Sequence, residues 1–124
     1  MIDKYVSVEE KRKFARVESH LPLNYKNLKK LKADASSVLT NDIGEGGVRF
    51  KSSEFISMAC RLLLEINLPT VAEPVKAISK VAWIRKGQDG REYEIGNQFL
   101  EISKEDRSRI IDFVNKLLAG STAG

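Results

Sequence analysis

Three glycines fall within four residues at Gly44, Gly46 and Gly47, in the stretch Asp42-Ile43-Gly44-Glu45-Gly46-Gly47. The run before it, SSVLTNDI, reads as a strand. In the run after it, GVRFKS, Val48 and Phe50 alternate with Arg49 and Lys51. Two strand-like runs joined at glycines form a β-hairpin, so this part of the chain is committed to antiparallel pairing.

The rest of the chain extends that pattern. RVESHLPLNYK carries Val17, Leu21 and Leu23 in broken alternation, and Pro22 points to an edge position. CRLLLEINL is a further strand ended by Pro69, and VKAISKVAWIRKG a long one, with Lys76, Lys80 and Lys86 on a solvent-facing row. After a polar turn at Gln88-Asp89-Gly90 comes REYEIGNQFLEI, where Tyr93, Ile95 and Asn97 face one way and Glu94 and Gly96 the other. The period then changes. Ile110, Phe113, Val114, Leu117 and Leu118 form one helical stripe, capped by Ser103, with Glu105 and Asp106 in the first turn and Gly120 as a stop. The expected fold is mainly β: a six-stranded antiparallel β-barrel with a C-terminal α-helix. Residues 1–16 form a basic N-terminal segment, 17–119 the barrel and helix, and 120–124 a tail. The stripe buries against the barrel mouth or a partner subunit, so monomer and homodimer are both open.

Charge narrows the function. Residues 1–32 hold nine Lys/Arg and four Asp/Glu, a balance of +5 in a chain whose net charge is +4. A localised basic excess suits an anionic partner. Cys60 is the single cysteine, so no intramolecular disulfide or cysteine metal cluster forms. No apolar run approaches a membrane span and no secretory signal opens the chain, so a cytoplasmic protein without membrane insertion is expected. Neither a nucleophile elbow, a P-loop nor an H-E-x-x-H pattern occurs, and the sole histidine, His20, has no neighbour at metal-ligand spacing. The chain reads as a non-enzyme without a cofactor.

Arg12-Lys13-Phe14-Ala15-Arg16 sets two arginines four residues apart, which places them on one face of a helix or a strand. Guanidinium groups pair bidentately with phosphate and with the O6/N7 edge of guanine. Asp42 offers the complement, because a carboxylate only accepts and can take both donors of guanine's other edge. Glycines at 44, 46 and 47 let a ligand or a backbone approach without a Cβ in the way.

In this order, Arg12 and Arg16 followed by Asp42-Ile43-Gly44-Glu45-Gly46-Gly47 resemble the PilZ domain family, whose signature is R-x-x-x-R and then [D/N]-x-S-x-x-G. The strand succession, VAWIRKG, YEIGNQFLEIS and the closing helix are similar to family features as well. The resemblance implies a cytoplasmic bacterial receptor for the second messenger cyclic di-GMP that works by rearrangement. It implies that Arg12 and Arg16 grip the ligand's phosphates and guanine edges, that Asp42 hydrogen-bonds a guanine, and that Gly47 keeps the turn open. Lys11 and Lys13 flank Arg12 as auxiliary phosphate contacts or as solvated surface. Trp83 sits where the family places aromatic residues that stack on a base; its alternation with Val81 instead places it in the barrel core. Gly44 departs from the family serine. The missing hydroxyl bond, ~0.5–1.5 kcal/mol, weakens binding by about tenfold, so Gly44→Ser is expected to tighten it.

Read as a single domain, the chain passes its signal in trans to an unidentified downstream protein. Two other readings stay open: a degenerate PilZ domain serving only as a protein-interaction module, and a small nucleic-acid-binding barrel. The second is disfavoured because such barrels present several aromatics on a basic face, and the basic segment here holds only Tyr5, Phe14 and Tyr25. No nucleic-acid partner is expected.

Overall fold

Alternation becomes a closed barrel. The computed structural model describes residues 15–123, with side chains to residue 120; Lys11, Arg12 and Lys13 lie outside the described residues. The strands are β1 (Arg16–Glu18), β2 (Pro22–Asn27), β3 (Ser36–Gly44), β4 (Gly47–Ser52), β5 (Arg61–Ile66), β6 (Val75–Lys86) and β7 (Tyr93–Ile102), followed by helix α1 (Lys104–Ala123). All pairings are antiparallel, and the order β3-β2-β5-β6-β7-β4 closes through a β3–β4 pairing into six strands. β1 is an additional strand on the same edge of β3 as β2.

β1 and β2 come from what reads as one strand in the sequence. The break at Ser19–Leu21 is stitched by Thr40, whose fully buried hydroxyl accepts from the Leu21 N–H at 2.9 Å and donates to the Ser19 carbonyl. Exposed His20 lies alongside, with Nδ1 3.0 Å from the Thr40 carbonyl. β2 is not an edge strand, contrary to the reading from Pro22. It pairs on both sides, and Pro22 is tolerated as the first residue of the strand, where the ladder does not need its missing N–H.

The inward rows fill the barrel: Leu62, Leu64 and Ile66 from β5, Val48 and Phe50 from β4, and Ile43 and Ile95 are all fully buried. Burial of each such side chain contributes roughly 1.5–3 kcal/mol. Tyr25 stacks on Phe50 at 5.1 Å and sends its hydroxyl to Ser52 and Glu54. Burial, together with the Glu54 carboxylate, raises the Tyr25 pKa.

Helix α1 closes one barrel end. Ser103 caps it by accepting from the Asp106 N–H at 3.0 Å, and Ile110, Phe113 and Val114 join the core. The stripe is buried only in its first half, since Leu117 and Leu118 are exposed. The helix also runs through Gly120 to Ala123 rather than stopping at the glycine.

Of three β-bulges among the described residues, two decide which side chains of β3 and β6 face outward. In β3 the pairing shifts between Thr40 and Asp42, so Asn41 is extra: Thr40 points into the core with Phe50, and Asp42 points out with Arg49. In β6 it shifts between Val81 and Trp83: Val81 pairs with buried Asn97, whereas Trp83 pairs with Gly96 on the opposite face. Without its bulge each residue would have shared its neighbour's inward face. The placement of Trp83 in the core is thereby overturned. The same shift removes Lys86 from the outward row of Lys76 and Lys80, because Lys86 pairs with Tyr93.

Candidate functional site

Register assembles the site. Asp42 lies opposite Arg49, Arg49 opposite Gly96, and Gly96 opposite Trp83, so one outward row crosses β3, β4, β7 and β6. One position along, Arg16 pairs with Gly44 at the β1 end and Glu94 with Arg85 at the other.

The charges alternate along this face. Arg16 Nη1 stands 3.5 Å from Asp42 Oδ1, Arg49 Nε is 2.9 Å from Asp42 Oδ2, and Arg49 Nη1 is 3.5 Å from Glu94 Oε2. Arg85 closes the series on Glu94 through Nε at 3.0 Å and through Nη2. Within this series three guanidiniums meet two carboxylates, while Glu18 lies opposite Asp42 on β1 and Lys51 opposite Glu94 on β4. The hydrogen bond from Arg85 holds the Glu94 carboxyl below its ordinary range, aided by the nearby charges of Arg85, Arg49 and Lys51 against the opposing effect of burial. Beyond Glu94 a cavity of about 700 Å³ opens between Lys51, Arg85, Lys86 and Tyr93.

Asp42 is only 14% exposed, yet among the described residues nothing donates a hydrogen bond to its Oδ1. Arg49 Nε is likewise buried without a hydrogen-bond partner, since its contact with Asp42 is close but poorly directed. A buried acceptor and a buried donor left open side by side are costly unless something satisfies them, at about 1–3 kcal/mol each. Such a pair can receive a ligand carrying both donors and acceptors.

The tryptophan completes the face. The Trp83 indole lies against the bare Cα of Gly96, where any Cβ would collide with Nε1 and Cε2. The Arg85 guanidinium lies over the ring, 5.6 Å from its centroid. The indole is half-buried and flat, a surface suited to stacking.

The glycines meet needs other than turn conformation. Glu45 and Gly46 form a two-residue turn between Gly44 and Gly47, and neither has a positive φ, so this is not a primed hairpin turn. A Cβ on Gly47 would run into the Asn97 carbonyl, so its clearance serves the close approach of β4 to β7. A Cβ on Gly44 would strike the Ala15 carbonyl and come within 3.0 Å of Arg16 Cγ. The space a serine side chain needs at 44 is filled by the backbone leading into β1. The expectation that Gly44→Ser simply restores a contact therefore fails on sterics.

Of the residues singled out in the sequence, Arg16, Asp42, Gly44 and Trp83 meet on this face, with Gly47 at its margin. Arg49, Arg85, Glu94 and Gly96 were not singled out. Arg49 was within reach, since a two-residue turn at Glu45-Gly46 sets it directly opposite Asp42. The other three come from strands distant in sequence.

The PilZ domain family model matches residues 10–116. The chain belongs to the PilZ domain family. Its barrel is similar to that of the Bacillus subtilis inhibitor of motility MotI/DgrA, with a TM-score of 0.75 and 16% identity over 88% of this chain and 52% of that one. It also resembles the PilZ domain with c-di-GMP of YcgR from Escherichia coli, with a TM-score of 0.67 and 11% identity over 89% and 93% of the two chains. The K. pneumonia MrkH–c-di-GMP complex matches with a TM-score of 0.65 and 16% identity over 90% and 54%. This PilZ chain thus spans about half the length of the MotI/DgrA and MrkH chains. No match was found among curated protein sequences. Among the described residues, no helix of this PilZ domain is long and apolar enough to cross a membrane.

Proposed function

We propose that this PilZ domain is a cytoplasmic receptor for cyclic di-GMP that signals to a partner protein in trans and catalyses no reaction. The observation that carries this reading is the approach of Arg16 to Asp42, whose Oδ1 is buried without a hydrogen bond and which shares its outward row with Trp83. Asp42 accepts from the N1–H and N2–H₂ edge of a guanine. Arg16, with Arg12 from the preceding segment, grips phosphate and the O6/N7 edge, and Lys11 and Lys13 add to the local positive charge. Trp83 stacks on a base. Gly44 and Gly47 hold the hairpin close to β1 and β7, which keeps Asp42 and Arg16 in reach of one ligand. The c-di-GMP-bound structures of YcgR and MrkH, to which this chain is similar, support the ligand class.

Arg49 enters the reading through the structure. It neutralises Asp42 in the free protein, so a guanine that takes over Asp42 releases Arg49 toward Glu94 or toward a ligand phosphate. Binding then rearranges the charges on the barrel face, a change that a partner protein can read.

The test is calorimetric titration of cyclic di-GMP into wild type, Arg12→Ala, Arg16→Ala and Asp42→Ala. Loss of a charge-assisted contact worth ~1.5–3 kcal/mol predicts roughly ten- to hundredfold weaker binding for each variant. Absence of heat from wild type at high micromolar ligand would overturn the receptor reading and leave the protein-interaction module in its place.

A further inference from the structure

At the barrel end away from α1, a groove of about 650 Å³ runs between the β2–β3 and β4–β5 connections. It shares no residue with the Arg16–Asp42–Trp83 face. Phe55 is 60% exposed and Met58 61%, while buried Tyr25, Ile56 and Leu62 also line the groove. Two large apolar side chains held open over an apolar floor mark an interaction site rather than scattered surface. Phe55 is oriented rather than loose, its ring meeting Tyr93 edge-on at 5.5 Å. Met58 is unbranched and adapts to irregular partners.

The rim has the opposite character. Lys26, Lys29, Lys30 and Arg61 line the groove against two acids, Asp34 and Glu54. Glu54 is already engaged by the Tyr25 hydroxyl at 2.6 Å. Lys29, Lys30 and Arg61 form no ion pair with any described carboxylate. Asn27 caps the 3-10 turn Leu28–Lys30, which carries two of the lysines, by accepting from the Lys29 N–H at 2.9 Å.

We propose that this groove docks a segment of a partner protein that presents apolar side chains among Asp and Glu residues. An apolar floor selects for buried aliphatic or aromatic anchors, and a rim of unpaired cations steers acidic flanks onto it. Nucleic acid fits poorly, since the groove exposes a single aromatic ring as a platform for bases. The proposal goes beyond the receptor reading and uses none of its residues, so either can fail while the other stands.

The test is selection of random 12-residue peptides displayed on phage against the immobilised full chain, followed by NMR mapping of the strongest binder. The expected winners carry apolar residues among Asp and Glu and shift amide resonances in residues 26–34 and 54–61. Phe55→Ser with Met58→Ser weakens them at least tenfold, and Lys29→Glu with Lys30→Glu reverses the preference toward basic peptides. All four positions are exposed, so far-UV circular dichroism is expected to be unchanged. Winners that are neutral or basic, or that ignore both variants, overturn the proposal. So does concentration-dependent dimerisation, or binding to phosphatidylglycerol vesicles, that is abolished by the Phe55/Met58 variant, because either assigns the groove to another occupant.

Discussion

The Trp83 indole rests on Gly96, in the space that a methyl group at position 96 would fill. The pairing across β6 and β7 holds the ring at the surface of the barrel, half-buried, with Arg85 over it. Gly96→Ala is therefore expected to lift the ring away. The cost is about 1–3 kcal/mol of stability, as for other overpacked sites, together with a shifted tryptophan emission maximum. Because Trp83 is the only tryptophan, fluorescence reports on this position alone. An unchanged spectrum with unchanged stability would show that the contact is not formed.

Asp42→Asn separates binding from folding. The substitution keeps shape and removes charge from ion pairs with Arg16 and Arg49, which are partly solvent-exposed. Asp42 itself is only 14% exposed, so losing these pairs costs more than the ~0–1 kcal/mol of a surface pair, and the thermal midpoint is expected to fall while the domain stays folded. Cyclic di-GMP affinity, by contrast, falls roughly ten- to hundredfold with the loss of a charged acceptor. Calorimetry and thermal melts on one sample decide it; equal loss of stability and binding would argue for a structural role only.

Gly44→Ser is expected to weaken binding. Its Cβ must displace the Ala15 carbonyl, which loosens the start of β1 and carries Arg16 away from Asp42. Amide exchange of Val17 and Glu18 should speed up in the variant. Tighter binding with unchanged exchange would restore the expectation from the family serine.

Acid should expose the Glu94 contacts. Its folded pKa is depressed, chiefly by the Arg85 hydrogen bond, whereas an unfolded glutamate titrates near ~4.3. The ionised form's contribution is fully present above that unfolded value and is lost as pH falls through the lower folded value. The stability gap between wild type and Glu94→Gln is therefore constant at neutral pH and narrows below about pH 4. Urea melts across that window check it. A gap that persists to pH 2 would place the difference in packing instead.

The barrel was legible because its inward rows alternate cleanly in single strands: Leu62, Leu64 and Ile66 need no knowledge of their neighbours. Asp42 and Arg16 stood out by residue type. Trp83 was misplaced because alternation was carried through Ala82, and no local residue announces the bulge there. Glu94 and Gly96 were seen to face together but not toward what, since their partners Arg49 and Trp83 are fixed by long-range register. Sterics at Gly44 were invisible for the same reason, as the blocking atom belongs to Ala15.

β1 is only three residues long, but it anchors Arg16 to β3 opposite Gly44. Arg12 lies four positions earlier in the chain, and four residues span at most ~14 Å even when fully extended. In the proposed clamp the second arginine is thus leashed to the first. Whatever path the intervening chain takes, its length alone bounds the distance between the two arginines, which corresponds to an effective concentration on the millimolar scale. A ligand caught first by Arg16 and Asp42 meets the other arm as an intramolecular partner. Lengthening the spacer between Arg12 and Arg16 would dilute that arm without changing a single contact.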